Sequence, residues 1–338
     1  MSTHVLICDD STVARKQMAR ALPEEWDVEV SFAKHGQEGM EALVSGKGEV
    51  LFLDLNMPVM DGYEVLSEIK KNNLDVMTIV VSGDIQEDAR KRVLQLGAIE
   101  FIKKPVTSDD IEAILKRYGL YSAANDSAII QTHQAQIQEL NASIGELDCY
   151  QEIANVAMGQ AAALLAKLLN VFILLPVPKV NMLEVTELQM ALQTSEGNDT
   201  FSAVCQGFIG SGIAGEALLL FYDSSFEDMA KLLHYEGKLT ETIELELVME
   251  VANILIGACI KGIAEQLDIA FSQGHPIVLG QHVDVSRLLS QGVWQWKQTL
   301  AIELCYSIEN YNISCDLLLL LTDDSMKALR EKISYLLT

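Results

Sequence analysis

The chain has 338 residues, 49% hydrophobic and 21% charged, with a formal net charge of −24. That length and composition predict a folded protein with two domains, or with one domain and a duplicated second. Residues 1–120 hold 14 basic and 21 acidic side chains, and residues 121–338 hold 10 and 27. The C-terminal part therefore carries −17. Nucleic acid is a poor partner for it, because duplex binding needs cations to displace counterions from phosphates. No apolar run reads as a membrane span; the best, around Leu164–Val177, is interrupted by Lys167, Asn170 and Pro176. The start, MSTHVLICDD, lacks the basic opening and cleavage site of a signal peptide, so a cytoplasmic location is expected. The six cysteines show no CxxC spacing and lie in apolar segments, which reads as reduced core thiols.

Along residues 1–118, strand-like runs alternate with amphipathic stretches. The strands are Val5–Cys8, Val28–Ala33, Val50–Asp54, Met77–Ser82 and Ala98–Ile102. Five βα units at this pitch predict a doubly wound five-stranded parallel sheet over residues 1–120. In such a sheet, sites form at the carboxyl ends of the strands. Asp9 and Asp10 follow the first strand, Asp54 ends the third, Ser82 ends the fourth and Lys104 follows the fifth. Three converging carboxylates repel unless a hard cation with oxygen ligands joins them, and Mg²⁺ suits phosphoryl transfer. Lys104 and the metal would neutralise phosphoryl oxygens, and Ser82 would hydrogen-bond one. One strand-end Asp alone is usually a turn or a cap. Five positions on four strand ends are a different matter.

These residues, with the run Asp54-Leu55-Asn56-Met57-Pro58-Val59-Met60-Asp61-Gly62 and the pairs Ser82-Gly83 and Lys104-Pro105, resemble the response-regulator receiver family, CheY included. The resemblance implies phosphorylation of Asp54 by a histidine kinase. It implies Mg²⁺ held by Asp10, Asp54 and the Asn56 backbone carbonyl, with Asp9 helping through water. It also places Phe101 at the family's aromatic switch position and makes the Lys104–Pro105 bond cis.

Residues 121–147 read as a helical connector. Ile130, Ile137 and Ile144 recur every seven residues, with Leu140 and Leu147 three residues after the last two. This is the pattern of a short parallel coiled coil, and hence of a homodimer. One amphipathic helix packed on its own domain explains it as well.

Residues 148–338 contain a repeat at an offset of 98 residues. Glu152-Ile153-Ala154-Asn155 aligns with Glu250-Val251-Ala252-Asn253. An acid precedes each Glu by four residues (Asp148, Glu246), and a proline follows each Asn by 23 (Pro178, Pro276). Each half continues with strand-like runs, Phe201–Ile209 and Ala214–Phe221, then Thr299–Ile308 and Tyr311–Leu321, and closes with a helix, Phe226–Leu233 or Met326–Leu336. An α/β domain with internal pseudo-twofold symmetry is expected. Helical spacing puts Asp148, Glu152 and Asn155 on one polar stripe. An acid pair at i, i+4 costs helix stability, so a stripe that occurs twice points to a partner's cationic site rather than to structure.

The two segments resemble the CheC, CheX and FliY phosphatase family over roughly residues 145–338. The spacing of acid or Ser, Glu, Asn and Pro is met in both copies, although Glu246 stands where Asp or Ser is usual. The resemblance implies hydrolysis of the aspartyl phosphate of a CheY-like receiver, either in another molecule or in this chain itself. Asn155 and Asn253 would orient the attacking water, and Glu152 and Glu250 would pair with the substrate's phosphoryl-site lysine. The alternative is a non-enzymatic module that docks on a flagellar switch or chemotaxis partner under control of Asp54.

Overall fold

The computed structural model describes residues 2–121, 145–184, 187, 200–283 and 298–337. They form two compact units, residues 1–152 with 335–338, and residues 153–334. Ile130, Ile137, Leu140 and Ile144 of the expected coiled coil lie outside the described residues.

In the first unit, five parallel strands alternate with five helices: β1 Thr3–Cys8, α1 Thr12–Ala21, β2 Val28–Ala33, α2 Gly36–Val44, β3 Val50–Leu53, α3 Gly62–Lys71, β4 Met77–Ser82, α4 Glu87–Leu96, β5 Glu100–Lys103 and α5 Ser108–Arg117. The sheet order is β2-β1-β3-β4-β5. The chain reverses direction across the sheet between β1 and β3, where this architecture opens a crevice at the strand ends. The central strands are apolar throughout because both faces are covered. Val5, Ile7, Phe52, Ile79 and Val81 pack against α1 and α5 residues such as Met18 and Ile111. Leu6, Leu51, Leu53 and Val80 pack against Val65, Leu66 and Val93 of α3 and α4. Helix starts are fixed by short polar side chains: Ser11 accepts from the Ala14 amide, and Asp61 and Glu64 form a capping box on α3.

The helix α6, Glu146–Leu169, begins in the first unit and continues into the second. The second unit then runs β6 Ile173–Leu174, β7 Lys179–Glu184, β8 Phe201–Gly210, β9 Ile213–Tyr222, α7 Phe226–Leu232, α8 Glu241–Gln266, β10 Ser272–Gln273, β11 Ile277–Val283, β12 Gln298–Ile308, β13 Ser314–Thr322 and α9 Ser325–Leu337. Its antiparallel sheet has the order β10-β8-β9-β13-β12-β6, with β11 also on β8 and β7 also on β12. Each half of the repeat thus lends its short strands to the other half's edge.

The register makes the symmetry quantitative. Leu219 of β9 stands opposite Leu317 of β13, a separation of 98 residues, the same offset as the Glu-x-x-Asn segments. At the edges, Lys179 pairs with Glu303 and Ile277 pairs with Cys205. The first pairing maps onto the second when 98 is added to one number and subtracted from the other. The pseudo-twofold axis therefore passes between Leu219 and Leu317.

Two sequence expectations need correction. The last strand begins at Ser314 rather than Tyr311, because Asn310 adopts a left-handed φ of 67° and residues 309–313 are used by the turn. Helices α6 and α8 do reach the length and apolarity of a membrane span, with mean hydropathy 1.2 and 1.8. Of the interruptions around Leu164–Val177, only Lys167 lies within α6; Asn170 and Pro176 fall beyond its end, and the apolar run extends towards the N-terminus instead. The apolar windows of α6 and α8 are 67% and 61% buried within the protein, where α8 lies on β8 and β9.

Candidate phosphoryl site and motif helices

The strand ends of the first unit gather the expected polar residues. Asp9 and Asp10 leave β1, Asp54 leaves β3, Ser82 closes β4 and Lys104 leaves β5. Gly62 is required at the start of α3, because a Cβ there would sit 2.3 Å from the Asp54 carbonyl oxygen. The helix can then press against the loop that carries Asp54. The Lys104–Pro105 bond is cis.

Lys104 is the hub. Its Nζ lies 2.7 Å from Asp9 Oδ2, 3.5 Å from Asp54 Oδ1 and 3.4 Å from Glu152 Oε1. All four side chains are buried. Burial alone would lower the Lys104 ammonium, but Asp54, Asp9 and Glu152 outweigh it and hold it well above its ordinary value. Burial pushes Asp54 well above the carboxylate range; Asp9, Asp10 and Glu152 add to this and Lys104 opposes it. Burial and the neighbouring Asp9 push Asp10 up to about 7. Glu152 is raised as well, by burial first and against the pull of Lys104.

One lysine does not neutralise this set. Oxygens of Asp9, Asp10 and Asp54 lie within 4.8 Å of one another, and both Asp54 carboxylate oxygens are buried without a hydrogen bond. Orphaned hard oxygen donors at this spacing fit a divalent cation such as Mg²⁺. Asn56 is half-buried beside them with its Nδ2 unpaired. Ser82 is fully buried and accepts from the Asp84 amide at 3.2 Å. Phe101 is partly buried against the cluster that contains Leu53 and Val80.

Sequence reasoning missed Arg15. Its guanidinium is buried and Nη1 donates to the backbone carbonyls of Asp9, at 2.5 Å, and Asp10, at 3.1 Å, bracing the acidic turn. The available signal was an arginine one turn into the helix that follows the acid pair, a position usually read as solvent-facing. The approach of Glu152 to Lys104 was also missed as a contact within this chain, since sequence spacing says nothing of distant pairs.

The motif residues divide by environment. Asp148 accepts from the Gly145 amide at 2.8 Å and so caps its own helix, whatever else it does. Glu152 and Asn155 are each 5% exposed, and Asn155 Oδ1 makes no hydrogen bond. Glu246, Glu250 and Asn253 are exposed on α8. Pro178 and Pro276 stand directly before β7 and β11, a position proline tolerates because the ladder has not begun.

Residues 5–116 match the family described as the response regulator receiver domain. A protein-glutamate methylesterase/protein-glutamine glutaminase of Geobacter sulfurreducens is 31% identical over 35% of this chain and 32% of its own length. The probable C4-dicarboxylate response regulator DctR of Bacillus subtilis is 33% identical over 32% of this chain and 52% of its own. The chain therefore spans about a third to a half of these curated relatives. Among solved structures, Thermotoga maritima FliY is similar over 56% of this chain and 96% of its own at 22% identity, with a TM-score of 0.46. The N-terminal unit carries the receiver domain of a response regulator.

Proposed function

We propose that this protein is a cytoplasmic response regulator, phosphorylated on Asp54 by a histidine kinase, whose C-terminal region hydrolyses the aspartyl phosphate of a CheY-like receiver. The observation that carries the reading is the repeated Glu-x-x-Asn segment on α6 and α8, set at the same 98-residue offset as the central register of the sheet. A duplicated scaffold keeps what its core needs, and exposed Glu250 and Asn253 are not needed by the core.

Mg²⁺ would be held by Asp10, Asp54 and the Asn56 carbonyl, with Asp9 near, and would supply positive charge at the phosphoryl group. Lys104 holds one of those oxygens and Ser82 donates to another. A substrate receiver brings the same electrostatic groups of its own. What the C-terminal region adds is position. The Glu carboxylate pairs with the substrate's lysine and sets the register of docking. The Asn carboxamide accepts a hydrogen bond from water and holds it in line with the P–O bond, though it is no general base. The water oxygen forms its bond to phosphorus, the bond to the aspartyl oxygen breaks, and the carboxylate leaves. The released phosphate carries off the water's two protons as H2PO4⁻, from which one passes to solvent as HPO4²⁻ forms.

Phosphate release from a phosphorylated CheY-like receiver tests this. The D54N chain, which cannot carry phosphate itself, should accelerate release, and D54N/N155A/N253A should not. Equal decay with and without the D54N chain contradicts the proposal for that substrate. A pure docking module predicts binding by both variants and release by neither.

A further inference from the structure

A cavity of about 520 Å³ opens in the second unit where β8 and β9 meet β10. That volume lies in the range of small-molecule sites. Ile209, Ala214 and Leu320 form apolar walls, Glu216 supplies a carboxylate, and Gly207 and Gly274 leave the space open. The backbone does not demand these two glycines, since neither has a left-handed φ. Packing does not demand them either. A Cβ on Gly207 would meet nothing closer than 4.0 Å, and one on Gly274 nothing closer than 3.5 Å. Glu216 is half-buried and, among the described residues, makes no hydrogen bond or ion pair. Burial pushes its carboxyl above the ordinary value.

The duplicated half supplies the comparison. Gly207 stands opposite Glu216 across the β8–β9 pair. At the 98-residue offset from Gly207 is Cys305, which stands opposite Asp316 across the β12–β13 pair. The acid is kept, but its surroundings differ. Leu220 of β9 opposes Asp316, and Tyr222, two residues on, donates its hydroxyl to Asp316 Oδ2 at 2.7 Å. Leu320 of β13 opposes Glu216, and the residue two further on is Thr322. The Thr322 hydroxyl is engaged with Ser325 Oγ at 2.8 Å instead. Threonine in the place of a tyrosine, and glycine in the place of a cysteine, take a phenol ring and a thiol away from beside an acid. The cavity lies where they would stand.

We propose that this cavity binds a small organic molecule with a ring of phenol size and a hydrogen-bond donor that Glu216 accepts. The bound molecule does for Glu216 what the Tyr222 phenol does for Asp316. A carboxylate without an internal partner gains most from such a donor, because hydrogen bonds to a charged acceptor are roughly twice as strong as neutral ones. The volume exceeds that of one ring, so the natural ligand carries more than this head group. The inference does not depend on the phosphatase reading, because no residue of the Glu-x-x-Asn segments lines the cavity.

The probe is p-cresol, the tyrosine side chain as a free molecule, added to the full chain with ¹³C-labelled isoleucine and leucine methyl groups. The Ile209 and Leu320 resonances should shift saturably. Toluene, which lacks the hydroxyl, should bind about tenfold more weakly, the scale of one hydrogen bond to a charged group. In Glu216→Leu the two probes should bind alike. Gly207→Leu, with room at its Cβ, should weaken p-cresol by about tenfold or more by filling the cavity. Thr322→Tyr should do the same, with its own phenol standing beside Glu216 as Tyr222 stands beside Asp316. The inference is overturned if p-cresol gives no saturable shift at Ile209 or Leu320, or if toluene binds the natural chain as well as p-cresol does. Unweakened p-cresol binding in Gly207→Leu, or in a folded Thr322→Tyr, overturns it too.

Discussion

Lys104 is buried among Asp9, Asp54 and Glu152, so its removal leaves carboxylates without their countercharge. Lys104→Met should destabilise the protein by about 3–5 kcal/mol in chelator. Mg²⁺ should recover part of that loss, because a cation that binds only the folded site stabilises it by mass action. Urea unfolding with and without Mg²⁺ reads both effects. His282 is a second charged junction: Nδ1 lies 2.8 Å from Asp223 Oδ2 and Nε2 lies 3.1 Å from Glu244 Oε2. The hydrogen bond to Asp223, with the charges of Asp223 and Glu244, raises the imidazole above its ordinary 6.5. The folded state therefore binds the proton more tightly than the unfolded chain. Its contribution is full below the ordinary value and is lost as pH rises through the raised one. Unfolding at about pH 6 and about pH 9 should show a loss of stability at the higher pH that is smaller in His282→Gln. At this scale the sequence was informative about the receiver, because strand ends announce their polar residues. It was silent on Arg15 and His282, and on the nearness of Glu152 to Lys104, because those partners lie on other elements.

The α3 start and the central sheet pair carry the element-scale predictions. Gly62→Ala would place a methyl group 2.3 Å from the Asp54 carbonyl oxygen, so either α3 or the acceptor loop must shift. It should cost roughly 1–3 kcal/mol and slow loading of Asp54 by a small phosphodonor, read by mass spectrometry of the phosphorylated chain. Leu219 and Leu317 are both fully buried and face each other across the pseudo-twofold axis. Leu219→Ala and Leu317→Ala should each cost about 2–5 kcal/mol, and the double variant should depart from their sum because the two sites are in contact. The long strands β8, β9, β12 and β13 were legible as apolar runs. The short strands β6, β7, β10 and β11 were not. The burial along β7 runs largely exposed, and the strand partners of all four belong to the opposite half of the repeat, so no local periodicity marks them. The prolines before β7 and β11 were the only sequence trace of those edges.

Across the whole molecule, the repeat was legible because its motif, its prolines and its strand runs kept one offset. The exchange of edge strands between halves was not, because it is a matter of pairing rather than of pattern. The same holds for function. Asp54 and its neighbours could be placed from the sequence, whereas the nearness of Glu152 to Lys104 needed the fold. Under the proposed function, a chain bearing a phospho-acceptor also catalyses loss of phosphate from such acceptors. Turnover tests it most directly, since a docking module can alter lifetimes but cannot cycle. Substoichiometric D54N chain is mixed with a phosphorylated CheY-like receiver, and inorganic phosphate is measured against time. Many equivalents should be released per chain, well ahead of the receiver's own decay, with the gain abolished in D54N/N155A/N253A. Release limited to one equivalent per chain, or the same in both variants, would contradict it.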